Sequence, residues 1–176
     1  MRVAAHAYPI PPASTHPESA QPTHRFFSHG PALTTPAQSI ALLLIRFSAG
    51  GFLLPHGLGK LFGWFGGPGL DGFAVELAQF GFPSFVPVPL LLALVQSLVG
   101  LLLVLGAFTR AAAVVGALFL AATIHVALPA GWFWMHRGME FPILWTSTLV
   151  ALALLGGGAW SVDCRWRSRR LTSGSA

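Results

Sequence analysis

With a single cysteine, Cys164, the chain can form no intrachain disulfide, no CxxC redox or metal pair and no four-cysteine iron–sulfur cluster. Charge is almost as scarce. Ten Lys and Arg and five Asp and Glu make up 9% of the 176 residues, against the roughly 25% of a soluble domain. Long stretches carry none of these four residue types: after Glu76 the next is Arg110, then Arg137, and none lies between Glu140 and Asp163. What fills the gaps is apolar. Hydrophobic residues are 54% of the chain and the mean hydropathy is +0.68, a composition that suits the bilayer, where each spanning helix takes about 20 mostly apolar residues.

The expected architecture is all-α, a four-transmembrane-helix bundle with a short interfacial helix between the first and second spans. The first span is expected from Ser39 to Phe62, with Pro55 kinking it because proline lacks an amide donor and crowds the preceding turn. The second runs from Val88 to Leu105, opened by Pro87 and Pro89, and the third from Thr109 to Leu128. The fourth runs from Glu140 to Leu155, where GGG ends it. Between the first two spans, DGFAVELAQF has Phe73, Leu77 and Phe80 on one side and reads as the helix lying along the membrane surface. Gly59, Gly63, Ala113, Ala117 and Ala121 recur every four residues and allow close helix approach. Trp64, Trp132, Phe133 and Trp134 form an aromatic belt.

Flanking this unit, residues 1–38 are rich in Pro, Ser, Thr and Ala and read as a flexible cytoplasmic extension, while 164–176 form a basic cytoplasmic tail. Pro9, Pro11 and Pro12 interrupt any secretory signal. His6, His16, His24 and His29 lack the fixed spacing of a metal site and read as solvated. Four of the ten basic residues sit in CRWRSRR. They suit anionic lipid headgroups, whereas no basic face remains to hold a nucleic acid. Arg25, Arg110 and the tail arginines share one side, and Lys60 and Arg137 the other. The positive-inside rule then puts both termini in the cytoplasm.

The polar residues of the spans are few enough to take one by one. In LLPHGLGKLFGWFGG, His56 and Lys60 lie four residues apart, on one helical face. Gln96 falls about eight residues into the second span, His125 near the outer end of the third, and Glu140 opens the fourth, so all five reach the outer half of the bilayer. Charged groups at such depth turn to the bundle interior or to water. One arrangement is a Lys60–Glu140 ion pair with His56, Gln96 and His125 as hydrogen-bonding neighbours. The other has Lys60 and Glu140 reaching water and the histidines bonded to backbone. Arg46, two turns into the first span, either snorkels to the cytoplasmic surface or pairs with helix-end carbonyls or with Asp163.

RFSAGGFLLPHGLGKLFGWFGGPGLDGFAVELAQFGFP, LVGLLLVLGAFTRAAAV, GMEFPILW and GGGAWSVD together resemble the DoxX family of small four-helix bacterial membrane proteins, over residues 40 to 163. The most specific parts are G-x-x-K-L-x-G-x-F-G-G, G-A-F-T-R and G-x-E-x-P. In that family the second span often carries a glutamate where this chain has Gln96, a departure that removes a proton acceptor or metal ligand there. The resemblance implies a multi-pass protein of the bacterial inner (plasma) membrane, a membrane subunit of a redox system, quinone-linked or serving thiol and oxidative stress, working with oxidoreductase partner subunits. The alternative is a small transport, channel or assembly protein without catalysis. Quinone is the cofactor in view, bound near His56, Lys60 or His125; two intramembrane histidines also suit haem or copper. No catalytic residue and no metal site is assigned, and a homo-oligomer fits either reading.

Overall fold

The computed structural model describes residues 35–173; His6, His16, His24, His29, Arg25 and most of the N-terminal extension lie outside them. Six helices follow one another: α1 (Pro36–Phe62), α2 (Gly69–Gln79), α3 (Val88–Leu105), α4 (Thr109–Ala127), α5 (Glu140–Leu155) and α6 (Val162–Ser173). No strand occurs among the described residues.

Helix α1 begins three residues ahead of the expected Ser39. Its start is a capping box: the Thr35 hydroxyl accepts the Gln38 amide at 3.2 Å and the Gln38 side chain accepts the Thr35 amide at 2.9 Å, with Pro36 in the first turn. The helix runs 27 residues without interruption through Pro55. Gly63, at φ 73°, ends the helix in the left-handed conformation that glycine adopts freely. It therefore caps rather than packs.

Three helices, α1, α3 and α4, are long and apolar enough to cross a membrane. Helix α5 is apolar too but has 16 residues, about 24 Å at 1.5 Å per residue. Helix α1 packs along α3 and α4 along α5, with α3 against α4 between them; α1 and α5 meet over a much shorter stretch.

Glycine sets the α1–α3 approach, at positions other than the four-residue pattern marked. A Cβ on Gly57 would stand 2.6 Å from the Ser97 amide nitrogen, and one on Gly50 2.7 Å from the Gly100 carbonyl oxygen. The backbones touch, which is how helices gain dispersion contacts where lipid removes the hydrophobic drive between them. Ala113 and Ala117 are buried in the same core with Leu53, Val99, Leu103 and Leu149, while Ala121 is exposed.

At the end of the bundle holding Pro36 and Thr109, one carboxylate organises the chain. Asp163 accepts the Phe108 and Thr109 amides at 2.7 and 2.9 Å and the Thr109 hydroxyl at 2.7 Å. It thereby caps α4 from 54 residues away and holds Phe108 at φ 47°, a conformation that aromatic residues rarely adopt. Trp166 on α6 meets Phe108 in a T-shaped arrangement, ring centroids 5.3 Å apart. Arg46 does not snorkel. It is 1% exposed, donates from Nη2 to the Trp160 carbonyl at 3.0 Å, and leaves Nε and Nη1 without a hydrogen-bond partner.

Candidate functional site

The opposite end of the bundle, holding Phe62, Val88 and Glu140, contains a cleft of about 950 Å3. Its walls come from α1, α2, α4, α5 and residues 64–68, with Gln96 contributed by α3. Most of the lining is apolar or aromatic, including Phe52, Trp64, Phe119, Phe141 and Trp145. The polar groups converge on one lysine.

Lys60 lies in the last turn of α1. Because helical side chains lean toward the N-terminus of their helix, its ammonium dips back into the bundle instead of following the chain outward. There Nζ donates to Gln96 Oε1 at 3.0 Å. It also stands 4.3 Å from the centroid of the Phe73 ring and 5.4 Å from that of Phe119, two faces whose negative quadrupoles favour a cation. Glu76 lines the same cleft and is the carboxylate that acts electrostatically on Lys60.

His56, one turn before Lys60, lines the cleft and sets its ring 5.6 Å from that of Trp145 at 61°. Trp145 also meets the edge of Phe52 and donates from Nε1 to the Ala49 carbonyl at 3.2 Å, so one indole bridges α5 to α1.

Of the five residues singled out from the sequence, the cleft is lined by His56, Lys60 and Gln96. His125 is exposed on α4 and outside the lining. Glu140 is outside it as well, because its Oε2 accepts the Trp134 amide at 3.2 Å and closes the loop before α5. The partner of Lys60 is thus the amide of Gln96 and not the carboxylate of Glu140.

Sequence reasoning passed over Glu76, Phe119 and Trp145. Glu76 had a legible signal: it follows Phe73 by three residues and precedes Leu77, both buried, and so flanks the face of α2 that rests on the bundle. Trp145 had none, since nothing in GMEFPILWTS says which way α5 is rotated. Among the described residues no group of three His, Cys, Asp or Glu side chains comes together to hold a metal ion.

The family model described as DoxX matches residues 41–137, more than half of the chain, and the chain belongs to that family. The matched segment contains α2, α3, α4 and nearly all of α1, with Lys60, Glu76 and Gln96 inside it, and stops before α5. No curated protein and no solved structure matches.

Proposed function

We propose that this DoxX-family protein is a quinone-binding membrane subunit of a redox system, with the cleft around Lys60 as its quinone site. The observation that carries the reading is the Lys60 ammonium 3.0 Å from Gln96 Oε1 inside an aromatic cleft of about 950 Å3. A quinone needs an apolar aromatic slot for its ring and a donor for each carbonyl oxygen. Lys60 has three N–H groups and gives one to Gln96, which leaves two to direct at a bound carbonyl. His56 lies one turn away as a second donor.

Reduction of a bound quinone to the hydroquinone takes two electrons and two protons. The electrons come, in this reading, from an oxidoreductase partner subunit, because a chain with one cysteine cannot house a four-cysteine cluster. The protons come through Lys60 and His56, with Glu76 replenishing them from the membrane surface.

The same proposal has α5 as a fourth span, giving four crossings with both termini in the cytoplasm. Apolar exposure supports it: Leu144, Leu154 and Leu155 on α5 are 60%, 72% and 61% exposed, which is favourable only against lipid. A helix of about 24 Å crosses with modest local thinning of the bilayer. Arg110, Arg165 and Arg167 lie at the Asp163 end, against Lys60 and Arg137 at the cleft end, in keeping with the positive-inside rule.

The test is to purify the full chain, extract bound quinone, and titrate a ubiquinone analogue into nanodiscs carrying the wild type, Lys60→Met or Gln96→Leu. Binding in the wild type that falls at least about tenfold in both variants supports the site, that being the range for losing one charged hydrogen bond. A preparation with no bound quinone and no binding in titration turns the reading to a transport or assembly protein.

A further inference from the structure

The cleft is open along one flank as well as at its mouth. Ser48, Phe52, His56 and Lys60 follow one another every fourth residue on α1, and all four line it. The first three are exposed, and Lys60, at the head of the stripe, is half-buried. Across the gap α5 contributes Leu144, Trp145 and Thr148. Ser48 is the thirteenth of the 27 residues of α1, so this seam descends from the cleft end to the middle of the helix, the depth of the acyl chains.

The packing explains why the seam exists. Glycines clamp α1 to α3, α5 packs along α4 with Leu149 against Gly116, and α1 and α5 meet over a short stretch only. What spans the gap is the indole of Trp145, with its bond to the Ala49 carbonyl and its ring edges on Phe52 and His56. Trp145 is thus the side chain that closes the seam, held by one hydrogen bond and two ring contacts.

We infer that the cleft takes its ligand sideways from the bilayer, through the α1–α5 seam, and that the ligand is a single-tailed amphiphile whose hydrogen-bond-accepting head meets Lys60 while its tail lies between Ser48 and Thr148. The polarity gradient fits such a molecule end to end. Lys60, Glu76 and Gln96 gather at the head, and below them come aromatic walls and then two small hydroxyl residues flanked by Phe52 and Leu144. Thr148 gives its hydroxyl to its own helix at the Leu144 carbonyl, 2.8 Å, which leaves its methyl for contact in the slot. The inference rests on the quinone reading for the nature of the head, and adds the route and the tail.

The experiment compares two probes in nanodiscs, 2,3-dimethoxy-5-methyl-1,4-benzoquinone and its decyl derivative, counted per protein after subtraction of empty discs. The variants are Thr148→Phe and, independently, Ser48→Phe, each placing a ring in the tail slot, with a thermal melt to certify folding. The expected result is that the wild type prefers the decyl compound and that each variant lowers decyl binding about tenfold more than binding of the tail-less compound, equivalent to one or two methylenes denied burial. Equal binding of both probes in the wild type, or variants that weaken both alike, overturns the lateral route and leaves the quinone site standing. Binding of neither probe overturns the quinone site and the route with it.

Discussion

Lys60 Nζ and Gln96 Oε1, 36 residues apart in sequence, meet at 3.0 Å across the α1–α3 contact. Gln96 is 4% exposed, so its amide oxygen has no ready access to water if the ammonium is removed, whereas Lys60 is half-buried in the cleft wall. Gln96→Leu is expected to destabilise the protein by about 1–2 kcal/mol, the lower part of the range for losing a hydrogen bond to a charged group, because Lys60 is only half-buried. Lys60→Met in the same chain should restore part of that loss. Denaturation of both variants and the double variant in mixed micelles gives the coupling; additive losses would mean that the two side chains act independently.

A contrast between two glycines of α1 tests the backbone approach. Gly57→Ala drives a Cβ into the Ser97 backbone, whereas Gly51→Ala meets open space. The first should cost about 1–3 kcal/mol as an overpacked contact. The second should stabilise by roughly 0.5–1 kcal/mol, the helix-interior advantage of alanine over glycine. Melting temperatures in a single detergent suffice to rank them, and a Gly57→Ala as stable as Gly51→Ala would contradict the close α1–α3 contact.

Removing the carboxylate that caps α4 should be felt in proportion to the bonds lost. Asp163→Ala loses all three hydrogen bonds, to the Phe108 and Thr109 amides and to the Thr109 hydroxyl. A loss of about 2 kcal/mol is expected, at the upper end for a helix cap. Asp163→Asn keeps one acceptor oxygen and should lose less. The order Ala below Asn below wild type in unfolding midpoint is the readout.

Arg46 offers a test of whether a buried charge stabilises its fold. With one hydrogen bond, two unpartnered nitrogens and 1% exposure, it is poorly compensated. Replacement by an apolar chain of similar length is often neutral or stabilising at such sites. Arg46→Met is therefore expected within about 1 kcal/mol of the wild type, and Arg46→Ala, which leaves a cavity, about 2–4 kcal/mol below it. Equal losses in the two variants would assign the guanidinium a larger share of the stability than its bonds suggest.

Much of the fold was legible because it is local. Helices α3, α4 and α5 start at the expected Val88, Thr109 and Glu140, whereas α1 starts three residues early, a difference with a readable cause in T-P-A-Q. The tail was read as basic but not as the helix α6, since four arginines among polar residues carry no apolar period. The cleft was legible in part. His56 and Lys60 share a face by spacing alone, but Phe119 and Trp145 join them only through the rotation of α4 and α5.

The sequence by itself determined that this is an all-helical membrane protein with hydrophilic groups rationed to a few positions, because hydropathy and helix periodicity act over a dozen neighbouring residues. Only the tertiary structure decided how those groups are matched: Lys60 with Gln96, Glu140 with the Trp134 amide, Asp163 with the start of α4. The physical reason is that partner choice depends on how each helix is turned about its axis. That turn is fixed where Gly50 and Gly57 let α1 touch the backbone of α3, a contact between residues some forty to fifty positions apart.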